Sequence, residues 1–348
     1  MKVLLTGVTG DFKNNVGKGI QRYMYELYQN LGKLQSKEFT ITKKEFIAYQ
    51  HLGANISCLI QSSLESFSKF DIVHNLSPIF VVRNKFWETK YISIDTIHDF
   101  GLLFHPEYAK DLSSLKDNIW KIMTKRVFLS QLKSDYLIAN STQTKEEAIL
   151  LGFDKNRIFV SNHGIDERYL TNKIHHKKPK TFIVGYIGAL RSVKNLPFAI
   201  RAINYLDNTN VKFNIFGNLS SDYQNLKSLS KNKNISFQGF LPEEKLVETY
   251  DSFDAFVFPS NYEGFGLPIL EAQARGLPVI TYKYAKIPEE VTRYCFKASD
   301  PEHMAQIIQE LKENGYDIKS KKRAMSYART FTWIKNAKET LTIYNNIV

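Results

Sequence analysis

The chain has 348 residues, 43% of them apolar and 24% charged, with a formal net charge of +12. The composition is globular and the length exceeds one ordinary core, so two domains are expected; no apolar run is long enough to cross a bilayer, and the stretch opening at Met1 is too short in its apolar part for a signal peptide. Cys58 and Cys295 lie far apart without metal-ligand spacing, which excludes a disulfide framework and points to a reducing, cytoplasmic setting, while the positive charge implies anionic partners and, being spread along the chain, excludes a nucleic-acid arm.

Short β-rich runs alternate with helical patterns along the whole chain, the signature of a parallel α/β architecture. Val3–Thr6 reads as the first strand, followed by a loop that holds Gly10, Gly17 and Gly19. Gly17 and Gly19 could let backbone approach a ligand. Thr6–Gly10 looks like the start of a nicotinamide-binding fingerprint. Lys13 stands where the third glycine belongs, however, and no acid follows the second strand, so no dinucleotide cofactor is expected. From Gly19, residues Ile20, Tyr23, Met24, Leu27, Leu31 and Leu34 keep the spacing of an amphipathic helix. Further strands are expected at Ile56–Ile60, Asp71–His74, Tyr91–Ile97, Tyr136–Asn140 and Ile158–Ser161, with a helix over Thr144–Leu151 opened by a Thr144/Glu147 capping box. His74 ends one strand, where support of the turn is the simpler reading. His98 and Asp99 end another; His98 could hydrogen-bond a sugar hydroxyl or merely stabilise the turn. Two stretches mix cations with aromatic residues, Arg83–Trp87 and Lys116–Lys133. The second carries Trp120, Lys121, Lys125, Arg126 and Phe128 at helical spacing. It fits either an anionic membrane surface or an ordinary half-buried helix.

The polar, basic run Thr171–Lys180 reads as an interdomain linker, and its histidine pair as solvated. The alternation then restarts, with strands expected at Phe182–Ile187, Val211–Phe216, Ile235–Gln238, Ala255–Pro259 and Pro278–Thr281. Helices are expected at Asn195–Leu206, Pro301–Asn314, Ser320–Thr330 and Trp333–Asn346. Each strand ends in a Gly or Pro loop, the edge at which open parallel sheets bind ligands.

Two constellations lie on that edge. The first runs from Glu263 through Gly264, Phe265, Gly266 and Leu267 to Pro268 and on to Glu271. A strand, a glycine turn and a helix start make an anion site, because backbone N–H groups point outward and the helix dipole favours negative charge. The Gly264–Leu267 amides would meet a diphosphate, Glu263 would face a sugar and Glu271 the ribose hydroxyls; a helix-start turn with two surface glutamates is the blander alternative. The second constellation, Gly188 to Asn195, carries Arg191 and Lys194 between a strand and a helix. A cation there could lie on a leaving diphosphate. Phe240 follows a third strand, near where a base would be chosen. No Asp-x-Asp string and no Cys or His cluster occurs, so no metal is expected.

These residues resemble the retaining GT-B glycosyltransferases of glycosyltransferase family four, the group 1 proteins. The run from Glu263 to Glu271 looks like the E-x7-E motif, Gly276–Ile280 like the strand that follows, Lys194-Asn195 like the donor-phosphate lysine loop, and Asn234–Leu241 like the segment near the base. Gly19–Tyr23, His98-Asp99 and Asn140–Lys145 match more loosely. The resemblance implies two tandem Rossmann-like, doubly wound domains facing a cleft. It places an acceptor-side domain at 1–170, a linker at 171–180, a donor domain at 181–331 and a final helix at 332–348 crossing back. It also implies a nucleotide-diphosphate sugar, UDP- or GDP-linked, as donor, and a hydroxyl acceptor on a glycan, lipid-linked sugar or small molecule. Transfer would be retaining and metal-independent, with no cofactor, in a cytoplasmic protein whose candidate surface is the inner face of the membrane. His98, Lys194 and Glu263 would be catalytic; Gly19, Gly188, Arg191, Phe240, Gly264, Phe265, Gly266, Leu267 and Glu271 would join Lys194 and Glu263 in binding the donor. Relatives often carry an arginine where Ala189 or Val193 stands here, and Arg191 between them is the substitute. A sugar-nucleotide epimerase of the same fold, and a non-catalytic binder of nucleic acid or membrane, are the competing readings.

Overall fold

The computed structural model describes residues 1–8, 19–46, 61, 66–77, 91–105, 115–170, 181–206, 210–218 and 223–348. The chain divides into two compact units. The first comprises Met1–Phe104, Leu112–Gly164 and Phe331–Val348, and the second His105–Asp111 and Ile165–Thr330. The expected strand Ile56–Ile60, the loop residues Gly10 and Gly17, the Arg83–Trp87 stretch and the linker 171–180 lie outside the described residues.

In the first unit β1 (Lys2–Val8), β2 (Thr40–Phe46), β3 (Ile72–Asn75), β4 (Ile92–Ile97), β5 (Tyr136–Ala139) and β6 (Ile158–Val160) form one sheet in the order β2-β1-β3-β4-β5-β6, with every pairing parallel. β2 is a strand the apolar pattern does not announce: Thr40-Ile41-Thr42-Lys43-Lys44-Glu45 is polar. It is nevertheless paired to β1 along its full length, with Ile41 packed against the core and Phe46 fully buried. The helix Gly19–Gly32 buries Tyr23, Met24, Leu27 and Leu31, as its spacing requires. These side chains share one core with Val3, Leu5, Ile72 and Ile94, and with Trp333, Ala337, Ile343 and Tyr344 of the final helix, Trp333–Ile347. The last helix therefore completes the first unit's core. The helix expected from Thr144 begins at Thr142 instead. Ser141 is its N-cap and accepts the Thr144 N–H, so the expected Thr144/Glu147 capping box gives way to a cap one turn earlier, with Glu147 buried.

The second unit repeats the design. β7 (Phe182–Ile187), β8 (Val211–Phe216), β9 (Ile235–Gly239), β10 (Ala255–Phe258), β11 (Val279–Tyr282) and β12 (Phe296–Ala298) pair in the order β12-β11-β10-β7-β8-β9, again all parallel. β12, three residues long, is an addition to the expected strands. The order reverses between β7 and β10. In a doubly wound sheet this is the switch point, where loops leave to opposite sides and open a crevice at the strands' carboxyl ends. Gly217 makes the neighbouring ends close: a Cβ there would fall 2.0 Å from the Gly188 carbonyl oxygen. No helix among the described residues is long and apolar enough to cross a membrane.

Candidate functional site

The loops leaving β7 and β10 meet at the switch point. The β7 loop passes Gly188 and Arg191, makes a one-turn helix over Ser192–Lys194 and enters the helix Leu196–Asn204 at Asn195. Asn195 sits at φ 49°, the left-handed region that Asn tolerates better than most side chains. Its carboxamide donates to Asn261 Oδ1 at 3.0 Å, and the Asn261 N–H donates to the Val193 carbonyl at 2.9 Å, so the two loops are stitched together. Lys194 Nζ donates to Glu263 Oε1 at 2.6 Å, and the Ser260 hydroxyl donates to the same oxygen at 2.6 Å. The Lys194 ammonium also lies 5.6 Å from the centroid of the Phe258 ring. Lys194 and Glu263 keep 21% and 14% of their side-chain surface, enough for a ligand to reach both. The glutamate's own N–H donates to the Lys286 carbonyl at 2.9 Å, which fixes its backbone against the loop after β11.

Beyond Glu263 the chain turns through Gly264 and Phe265 to Gly266, whose φ of 105° is the reason for glycine there. Gly266 is the N-cap of an eight-residue helix, Leu267–Ala274, with Pro268 in its first turn. A half-buried cation, a carboxylate and a helix start are thus gathered at one sheet edge. Beneath them the buried Tyr186 hydroxyl donates to the Ala189 carbonyl at 2.9 Å; burial, and secondarily the Glu263 charge, hold its pKa well above that of a free phenol.

Residues 169–331 match the family model described as Glycosyl transferases group 1. The similarity to the group 1 glycosyltransferases lies in this stretch. Among relatives, an uncharacterized 41.2 kDa protein in the cps region of Klebsiella pneumoniae is 27% identical over 277 residues, 74% of each chain. The O-antigen chain mannosyltransferase B of Escherichia coli is 25% identical over 272 residues, 72% of this chain and 70% of that one. Among solved structures, sucrose-phosphate synthase from Thermosynechococcus elongatus aligns with a TM-score of 0.75 at 17% identity, covering 99% of this chain and 98% of its own. Anabaena Alr3699/HepE, solved in complex with UDP and glucose, aligns with a TM-score of 0.70 at 16% identity, covering 99% and 100%. The fold is GT-B.

Within the second unit the expected residues do not all meet. Lys194, Glu263 and the Gly264–Leu267 turn are brought together, with Arg191 on the same loop as Lys194. Gly188 stands at the end of β7, where a Cβ would come within 2.8 Å of the Tyr186 hydroxyl. Glu271 is buried, 7% exposed, with the Tyr250 hydroxyl donating to its Oε2 at 2.9 Å. Neither glutamate is a plain surface residue. Phe240 follows the edge strand β9 and is 70% exposed. Ser260 and Asn261 are the partners that sequence reasoning missed, and their one signal is position, three and two residues before Glu263. Asn195, expected as part of the lysine loop, is fixed by its bond to Asn261.

Gly19 and His98 belong to the first unit. Gly19 opens the helix Gly19–Gly32. The His98 ring is buried; its Nε2 lies 2.9 Å from the Leu76 carbonyl, which can only accept, so Nε2 carries the proton and Nδ1 is an acceptor. Among the described residues, no hydrogen-bond partner reaches that Nδ1. Burial lowers the His98 pKa to about 4, keeping the ring neutral. Three asparagines hold the His98 backbone in relay. Asn336 donates to the Asn162 carbonyl at 3.0 Å, Asn162 to the Asn140 carbonyl at 2.9 Å, and Asn140 to the His98 carbonyl at 2.8 Å. His74 is a core residue, bonded to the Tyr344 hydroxyl through Nδ1 and to Thr96 through Nε2. Asp99 accepts the Gly101 N–H at 2.9 Å and so supports the turn. Among the described residues, no group of three or more His, Cys, Asp or Glu side chains could hold a metal ion.

Proposed function

We propose that the protein is a retaining, metal-independent glycosyltransferase. It moves a hexose-type sugar from a UDP- or GDP-sugar to a hydroxyl acceptor in the building of a polysaccharide, glycolipid or related glycan. The observation that carries this reading is the Lys194–Glu263 pair at the switch point of the second sheet, beside a helix start. Lys194, Arg191 and the Gly266–Leu267 amides supply positive charge where the diphosphate departs, an electrostatic contribution already in place before reaction. Glu263, held by Ser260, is the acceptor for sugar hydroxyls, and Glu271 serves the ribose. The acceptor oxygen bonds to the anomeric carbon as the bond to the diphosphate breaks on the same face, and its proton passes to the departing phosphate oxygen. His98 contributes an acceptor nitrogen, suited to a sugar hydroxyl.

The acceptor class is supported by the relatives, an O-antigen chain mannosyltransferase and a protein of a cps region. The donor class is supported by the UDP complex of a protein of the same fold. A thermal-shift screen with UDP, GDP and ADP should show stabilisation by one of the first two. Labelled UDP- and GDP-sugars, offered with and without lipid-linked glycan acceptors, should then give acceptor-dependent release of the nucleotide diphosphate. Epimerised free nucleotide-sugar, or indifference to all three nucleotides, would overturn the proposal.

A further inference from the structure

Glu271 stands in the helix Leu267–Ala274 as a carboxylate turned into the interior, 7% exposed. A buried carboxylate is costly to keep, and an apolar side chain of the same volume would serve packing at least as well. The residue that holds it is Tyr250, from the short helix Leu246–Asp251, whose hydroxyl donates to Glu271 Oε2 at 2.9 Å. Tyr250 itself has no exposed surface. Its ring is set among those of Phe256, Tyr169 and Phe253, with centroids 5.4, 5.8 and 6.4 Å away and each pair inclined by 60° or more. The hydroxyl is therefore delivered from a rigid aromatic base.

The next residue repeats the grip. Asp251 accepts from Arg275 Nε and Nη2 at 2.7 and 2.8 Å, and Arg275 lies one helical turn beyond Glu271. Arg275 Nη1 also donates to the Tyr169 carbonyl at 3.4 Å. Consecutive residues of one helix thus hold side chains one turn apart on another, which fixes the second helix against rotation about its own axis. Asp251 neutralises Arg275. Tyr250, being uncharged, leaves the charge of Glu271 in place and aims it. A carboxylate can accept about four hydrogen bonds, so one from Tyr250 leaves it able to accept from two vicinal hydroxyls. A glutamate already held in one rotamer loses little side-chain freedom when it does so.

We infer that Tyr250 is a positioning residue that sets the ribose preference of the nucleotide site, acting through Glu271. The inference rests on the nucleotide-sugar reading given above. Its test is calorimetric titration of the full chain with UDP, GDP and their 2′-deoxy forms. The wild type should bind one of the two ribonucleotides at least about tenfold more tightly than its deoxy form, the effect of a hydrogen bond to a charged acceptor. Tyr250→Phe keeps the ring and its packing, and should cut that preference at least about threefold while the deoxy affinity stays within about twofold of the wild type. Glu271→Gln should lose the preference as well. Adding Tyr250→Phe to Glu271→Gln should change it no further, a comparison that holds even where the single Tyr250 variant is unstable, because the double variant carries no buried charge. An unaltered preference in Tyr250→Phe would overturn the inference and leave the nucleotide reading standing. Equal weakening of ribo and deoxy forms would make Tyr250 merely structural, and a further loss in the double variant would show that it does not act through Glu271. A wild type that binds neither nucleotide would overturn the nucleotide reading and this inference with it.

Discussion

At the scale of the residue, the Lys194–Glu263 pair separates stability from function. Both side chains are partly solvated, so the pair contributes about 0–1 kcal/mol to folding. Lys194→Ala and Glu263→Gln should therefore leave the unfolding midpoint nearly unchanged. In the proposed reaction each should lower kcat by about 100- to 1,000-fold, the usual effect of losing one preorganised electrostatic contact. Loss of folding in step with loss of turnover would instead make the pair structural. Arg275 and Asp251 give the opposite case. Their bidentate contacts, at 2.7 and 2.8 Å, are buried, and Arg275 caps the helix that carries Glu271. Asp251→Ala leaves a guanidinium uncompensated in the interior and should cost about 3–5 kcal/mol, read as a fall in the urea midpoint.

At the scale of the element, the asparagine relay makes a clear demand. Asn140→Ala removes the donor to the His98 carbonyl, and a buried carbonyl left unsatisfied costs about 1–3 kcal/mol. Amide exchange at Asp99 and Phe100 should accelerate in that variant, while exchange in β10 stays as in the wild type. The elements themselves were legible where a period was strong. The helices Gly19–Gly32 and Pro301–Asn314 and the strands Phe182–Ile187 and Val211–Phe216 follow directly from apolar spacing. β2 was not legible, because an edge strand paired along one side need not be apolar, and Lys43 and Lys44 suit solvent. β12 is too short to carry a pattern. The Glu263–Gly266 turn could be read because glycine at positive φ and a following proline have few other uses. Asn261 could not, since its role depends on a loop 66 residues away in sequence, and no apolar pattern marks Ser260 as the donor to Glu263. The buried state of Glu271 was invisible for the same reason: Tyr250 makes it tolerable.

At the scale of the whole molecule, acid should act on the first unit before the second. His74, His98 and His163 are buried there, with pKa values lowered to about 3, about 4 and well below the usual range, chiefly by burial. A histidine whose folded pKa is depressed binds fewer protons folded than unfolded. Its contribution is intact above about pH 6.5 and is lost as pH falls toward the folded value, with three such groups giving up to about 4 kcal/mol per pH unit. Urea midpoints measured across that window should fall steeply for the tryptophan signal of the first unit's core, and a flat profile would contradict the burial of these rings. The return of the last helix has a consequence in time. Trp333, Ala337, Ile343 and Tyr344 are part of the core that holds β1 and the first helix. A ribosome makes β1 and the first helix long before the Trp333–Ile347 helix, yet their shared core stays incomplete until residues 331–348 have emerged. The second unit is nearly contiguous, from Ile165 to Thr330, and can close while synthesis continues. The apolar surface of β1 and the first helix then stays open until residues 331–348 arrive to cover it.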